Sequence, residues 1–549
     1  MSLRNQFVLL AVSVALITLV GCGSSSNQAV PPPTGSFSNS NFNGTYVFSF
    51  SGSDFTNGNN GFFAVAGTLT ANGSGGFTGG TVDIDDPALG VALQTGYVFT
   101  GLSTSGNYNV TADGRGSGTI GVTINGTAVQ FGLDFVLTSN DHGLITRFDS
   151  NGTGSGTIDL QTANIAQSSL QGSYAFGLSG VDSSVTNSLS TVGSFTLDAN
   201  GNVTTGFEDF NDNGNSSNLE ALSVQGTVLA GSPGSAQLTT SAAGFGTMHF
   251  DVWGIDSTHL KFIETDSIAY LEGDAFVSTG QTSFPSGPLV FTLAGEDTAL
   301  GSFAAGGLLT SDGTSLITGG LEDVNDEGDV AEAPSINGSF SSSGGRTVLT
   351  LNGIYNGYLV NNAIGTGNYT FAAYPYSGGI MLLEIDNGAG STLGISGGNA
   401  YAQSATSLDS SQGYGLNLSG ANPDGEADLI AEFTTNGGNM SGLYDVNNAG
   451  FLISDLGLGT GTYSSSSNGR GTVQFPGLQT NGNSMISTLN FTFYVVDSSN
   501  VVFVETDAGQ LATGVFQLQN ASGDSSAARS HFVVMQSRPS AHKALEHRK

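Results

Sequence analysis

The residue pairs best suited to chemistry in this chain are acids two positions apart, Glu264/Asp266, Glu384/Asp386 and Glu505/Asp507. On a strand, that spacing puts both carboxyls on one face about 7 Å apart, the short end of the range a glycoside hydrolase uses to cut with inversion. The same pair recurs at equivalent places along the chain and becomes Arg147/Asp149 once. Recurrence favours a shared structural role, in which Glu264, Glu384 and Glu505 accept hydrogen bonds or pair with a base such as Arg346 or Arg470; hydrolysis is the weakest of three functional readings. His142 and His259 fall in the hairpin turn before the acid-pair strand, where the last copy has Asn500, and read as turn residues. Gly394-Ile395-Ser396-Gly397-Gly398 fits the pattern of a nucleophile elbow, and Gly116 to Gly121 fits a phosphate-binding glycine loop. Neither is followed by the helix that would give it meaning. No catalytic residue is assigned, and the chain is expected not to be an enzyme.

Asp209-Phe210-Asn211-Asp212-Asn213-Gly214, followed by Glu220, offers side-chain oxygens at positions 1, 3, 5 and 12 with glycine at 6. This twelve-residue run resembles the calcium loop of EF-hand proteins. The resemblance implies Asp209, Asn211, Asn213 and Glu220 as metal ligands and calcium as the one candidate cofactor. The pattern departs from the family at Ser216, and no helix flanks it. An Asx-rich turn between two strands accounts for it as well as for its counterparts near Asp323 and Asp445.

The single cysteine, Cys22, closes an apolar run from Phe7 to Val20 that follows Arg4. As a helix these fourteen residues reach about 21 Å, short of a bilayer's hydrocarbon core, so they read as a signal segment. Leu19-Val20-Gly21-Cys22 resembles the lipobox of bacterial lipoproteins. The resemblance implies cleavage before Cys22, lipidation of its thiol and attachment to the cell envelope, at the outer membrane because Gly23 rather than aspartate follows. Several acyl chains would hold the protein firmly where one would not. Gly23 to Ser38, centred on Pro31, Pro32 and Pro33, reads as a tether.

Between residues 23 and 520 the chain carries 42 acids against five bases, Arg115, Arg147, Lys261, Arg346 and Arg470. Such a body repels phosphate, which excludes nucleic acid as a partner. With 38% hydrophobic residues it can nevertheless build cores.

Those residues sit in a unit repeated four times. Gly44 to Gly52, Gly172 to Gly180, Gly287 to Gly295 and Gly413 to Gly420 each place large apolar side chains two apart, the period of a strand with one buried face. The closing glycines lie 128, 115 and 125 residues apart. A turn follows in each copy at Asn72-Gly73, Asn200-Gly201, Asp312-Gly313 or Asn436-Gly437, then an acidic loop at Asp83, Asp209, Asp323 or Asp445. No helical period is evident in the body.

The fold expected is all-β: four tandem antiparallel meanders of about eight strands, each closed like a barrel, with an eight-bladed propeller as the alternative. The expected boundaries are signal 1–21, anchor and tether 22–40, units 41–162, 168–280, 284–404 and 408–520, and a basic disordered tail 521–549. The opening Gly-x-Tyr faintly resembles the start of lipocalin and avidin barrels. The first functional reading is a lipid-anchored extracytoplasmic repeat protein with a structural, adhesive or surface-binding role, meeting a surface or polymeric partner through several weak contacts. The second is carriage of a small apolar ligand in the barrel lumens, lined by residues such as Tyr46, Phe48 and Phe50.

Overall fold

The computed structural model describes residues 37–521, apart from 57–60, 186, 213–218, 242–244, 279–282, 298–300, 327, 361–362, 387–393, 410, 477–478, 482–483 and 486–487. Cys22 and its signal, the tether up to residue 36, Asn213 and the tail beyond 521 lie outside the described residues.

Period-two alternation produces what it should, a strand with one face inward. In Asn43–Asp54 the inward Tyr46, Phe48 and Phe50 are no more than 1% exposed and meet Phe63 and Phe131. Tyr46 donates its hydroxyl to the carbonyl of Asn140 at 2.6 Å, and Tyr174 in the next copy donates to Ser257 at 2.7 Å. Each phenol thereby ties the opening strand to a hairpin near the end of its own repeat.

The chain is all-β with antiparallel neighbours throughout. The second and third copies are closed eight-stranded barrels, Gly172–Asp182 pairing with Ala269–Val277 (Phe176 opposite Ala275), and Ser286–Asp297 with Ile395–Ala402 (Phe291 opposite Ala400). In the first copy Phe48 of Asn43–Asp54 faces both Gly67 and Ile158, which closes a ring of strands. Thr81–Asp85 continues Gly76–Gly79 along one edge of Gly61–Asn72, Val98–Ser103 pairs with it and leads into Ser105–Val110, and Val82, Ile84 and Phe99 enter the core. The fourth copy closes through Gly413–Asn422, whose Leu418 faces Leu429 and Gly514, and Phe451–Gly457 and Gly461–Ser465 lie in succession along one edge of Asn439–Asn448. Because each of the four large sheets closes on its own strands, the propeller alternative fails. One expectation needs amendment: a seven-residue helix, Pro87–Leu93, starts where Asp86 accepts from the backbone N–H of Leu89 at 2.9 Å. Turn glycines 73 and 437 do adopt positive φ, +71° and +57°.

The lumens are packed with side chains. Aromatic contacts cross each core, as between Phe210 and Phe245 at 4.6 Å or Phe503 and Phe516 at 4.7 Å, and Arg147 lies over the rings of Phe63 and Phe131.

The barrels also do not stand apart as beads on a string. Strands such as His259–Glu264 and Asn500–Glu505 are buried at every residue, hence on both faces. Their outward sides build shared apolar clusters. Val47 and Ala64 of the first barrel meet Trp253 and Ile263 of the second. Val192 and Phe276 of the second meet Tyr374 and Met381 of the third. Val290 and Leu308 of the third, Tyr494 and Ile430 of the fourth, and Val136 and Leu144 of the first join in one cluster. The fourth barrel thus returns to the first, and the described residues form a closed circuit of four barrels.

Candidate functional site

The seams between barrels gather most of the chemically capable side chains, and they repeat. From the second barrel, Asp209 points into the third, where Arg346 grips it through Nε at 2.8 Å and Nη2 at 2.5 Å, and the hydroxyl of Tyr374 donates at 2.5 Å. Asp323 meets Arg470 at 2.7 and 2.6 Å and is also bonded to Tyr494. Asp445 meets Arg115 at 2.8 Å, with Val136 at the place of the tyrosine, across the sheet from the arginine. Burial alone would lower the guanidinium's affinity for its proton, but the carboxylates beside Arg346, Arg470 and Arg115 hold each above its ordinary value.

Two residues after each of these aspartates an asparagine enters the same seam. Asn211 donates its amide to the carbonyls of Glu384 and Gly394, both at 3.0 Å. Asn325 donates to Glu505, Asp507 and Gln510 at 2.8 to 3.0 Å. Asn447 donates to Arg147, Asp149 and Gly152 at 2.7 to 3.1 Å. Each amide thus stitches the end of the neighbouring acid-pair strand.

This settles where the sequence-derived candidates lie. Asp209 and Glu220 do come together, but around Arg346, whose Nη2 is 3.3 Å from Glu220 Oε2; the guanidinium stands where a cation would. Asp209 is fully buried and also accepts from the Ala221 N–H at 2.9 Å, while Asn211 turns its amide away toward carbonyls. Among the described residues no three His, Cys, Asp or Glu side chains converge to hold a metal.

The acid pairs line the seams as well. Burial and the neighbouring Asp266 push Glu264 up to about 11, while Asp266, which accepts from the glutamate and from His249, falls below its ordinary value. Glu505 is likewise driven well above the usual range by burial beside Asp507. A protonated glutamate donating to the aspartate two residues on explains the exception in the first copy, where Arg147 donates to Asp149 through Nε at 3.0 Å. Ser396 gives its hydroxyl to Glu384 at 2.6 Å and is 1% exposed, a strand residue rather than a nucleophile.

The histidines are where sequence reasoning missed most. His142 and His259 begin strands and are buried. His142 Nδ1 lies 2.7 Å from Asp159 and its Nε2 lies 2.8 Å from Gln517 of the fourth barrel. His259 Nε2 lies 2.5 Å from Asp274, to which Lys261 also donates at 2.9 Å. Burial opposes charge on His142, yet Asp159 and the flanking hydrogen bonds raise it above the ordinary imidazole value; Asp159 falls below its own. With Asp159 at one ring nitrogen and Gln517 at the other, the site favours the charged form of His142, which joins the first barrel to the fourth. The signal was present as His142, His259 and Asn500 at one repeat position, but only the closed circuit brings the acceptors to them.

No family model matches the chain, and no curated protein matches it. Among solved structures it is similar to transferrin binding protein B of Haemophilus parasuis, a vaccine antigen, at 10% identity over 69% of this chain and 83% of that one, with a TM-score of 0.20. It is similar also to isotype 1 transferrin binding protein B of serogroup B Neisseria meningitidis, at 10% identity over 67% and 80% of the two chains and the same TM-score. Similarity this loose assigns neither a family nor a role.

Proposed function

We propose that this chain is a lipid-anchored, extracytoplasmic binding or scaffolding protein that works through its outer surface and performs no catalysis. The observation that carries this reading is that the barrels' interiors are filled by packed aromatic and aliphatic side chains while their outward faces are welded to one another. Filled lumens favour surface binding over carriage of an apolar ligand. The acid pairs, histidines and Ser396 are engaged in hydrogen bonds that join strands and barrels, which favours a structural role for them over hydrolysis. Cys22 and the tether would hold this rigid body off the membrane, replacing the flexible string of modules with one preorganised surface.

Two parallel measurements test the proposal. The purified protein is sedimented with insoluble cell-envelope polymers, and a fluorescent fatty acid is titrated into it. Retention on a polymer fraction without saturable fatty-acid binding is expected. Stoichiometric fatty-acid binding with no retention would overturn the reading in favour of carriage. For the anchor, Cys22→Ser should abolish labelling by a radioactive fatty acid, and equal labelling of both proteins would refute it.

A further inference from the structure

Three of the four seams share one solution, and the seam between the first and second barrels breaks it at every point. Asp83 occupies the place of Asp209, Asp323 and Asp445, but the second barrel offers Pro233 where its counterparts have arginine. Opposite, Trp253 replaces the tyrosine, one step beyond the pair Gly234 and Val252. Asp85 replaces the stitching asparagine, and Asp251 faces Asp83 as a second carboxyl. Asp85 is 0% exposed, and neither of its oxygens has a hydrogen-bond partner. In the other seams this position donates to carbonyls, which an ionised carboxylate cannot do.

We propose that this seam is a latch, closed in acid and neutral conditions and opening in alkali. Apart from the Gly101 N–H, which donates to Asp83 at 2.6 Å, the groups facing Asp83 and Asp85 leave little to neutralise them. The first barrel adds Asp86, itself facing Asp54; Arg147 acts on Asp86 from a distance but is bonded to Asp54 at 2.8 Å and to Asp149. From the second barrel come Asp251, the pair Glu264/Asp266 with His249 on Asp266 at 2.9 Å, and, on Ala269–Val277, Tyr270 and Glu272. Glu272 accepts from Ser51 at 3.0 Å, and Lys261 is committed to Asp274. Burial and Asp251 push Asp83 up to about 8, and burial among Asp83, Asp86 and Asp266 drives Asp85 well above the ordinary range. Acids held above their ordinary value favour the closed seam at low pH. That advantage shrinks as pH climbs from the usual carboxylate range toward 8, and beyond it the closed seam must hold bare charges.

The chain's single tryptophan is the reporter, since Trp253 is 0% exposed and packs in this seam. In the full-length protein, its emission should move to longer wavelength and its quenching by acrylamide should rise severalfold from about pH 8 upward, with far-UV circular dichroism unchanged. The variant Asp85→Asn/Asp251→Asn, which restores the stitching amide and removes the facing carboxyl, should suppress both changes. If it fails to fold, Asp251→Asn alone is expected to move the onset to higher pH. The proposal is overturned if quenching of the unsubstituted protein is the same at pH 6 and pH 10. It is equally overturned if the emission shift coincides with loss of the strand signal, or if no variant alters the onset.

Discussion

At Asp83 and Asp323 the same side chain at the same place in two repeats has opposite energetic meaning. Asp323 is fully buried between Arg470 and Tyr494; removing its charge leaves the guanidinium with only the exposed Glu332 at 3.5 Å, a loss of about 3 kcal/mol for a buried pair broken on one side. Asp83 is equally buried but faces another carboxyl, so its neutral form is the one that fits. Asp323→Asn should therefore lower the melting temperature at pH 7, whereas Asp83→Asn should raise it, by on the order of 1–3 kcal/mol in stability. Calorimetry on the two variants side by side checks this, and a change of the same sign in both would refute the contrast. Such assignments were only partly legible in the sequence. Asp209, Asn211 and Glu220 stood out for their oxygens, but nothing local shows that Arg346, 137 residues away from Asp209, supplies the cation.

Among the elements, the strands that open each repeat and their turns could be read directly, because one buried face gives strict alternation and a hairpin needs its glycine. What the alternation hides is the second buried face. Val501-Val502-Phe503-Val504 and Ala427 to Phe433 are buried without interruption, the mark of strands covered on both sides. Read that way, these runs would have announced that the barrels touch. Ile430 tests the point. It faces out of its own barrel yet is 0% exposed, in the cluster shared with Val136 and Tyr494. On a free-standing barrel Ile430→Asn would be harmless or favourable. In the closed circuit it loses apolar packing and buries an unsatisfied amide, at a cost of about 2–4 kcal/mol. Denaturant unfolding of the variant distinguishes the two.

For the whole molecule the sequence signalled its acidity but not the burial of so many of its acids. Asp134, Glu208 and Glu432, in the first, second and fourth barrels, are each raised to about 8, chiefly by loss of water, and Glu264 to about 11. Each is neutral in the fold at pH 7 and ionised in the unfolded chain, so unfolding releases protons and each unit of rising pH favours the unfolded state. Other groups oppose this at the acid end: Asp159, held low by His142, and Asp274, held low by Lys261 and His259, keep their charge in the fold and lose that stabilisation as pH falls below the ordinary carboxylate range. His142, raised above its ordinary value, contributes below that value and loses its contribution as pH climbs through the raised one. The three effects together place maximum stability on the acid side of neutrality. Scanning calorimetry of the full chain should find a higher melting temperature near pH 5 than at pH 7, and a lower one again at pH 9. Stability that rose steadily from pH 5 to pH 9 would mean that these carboxyls are charged in the native state and that water reaches them.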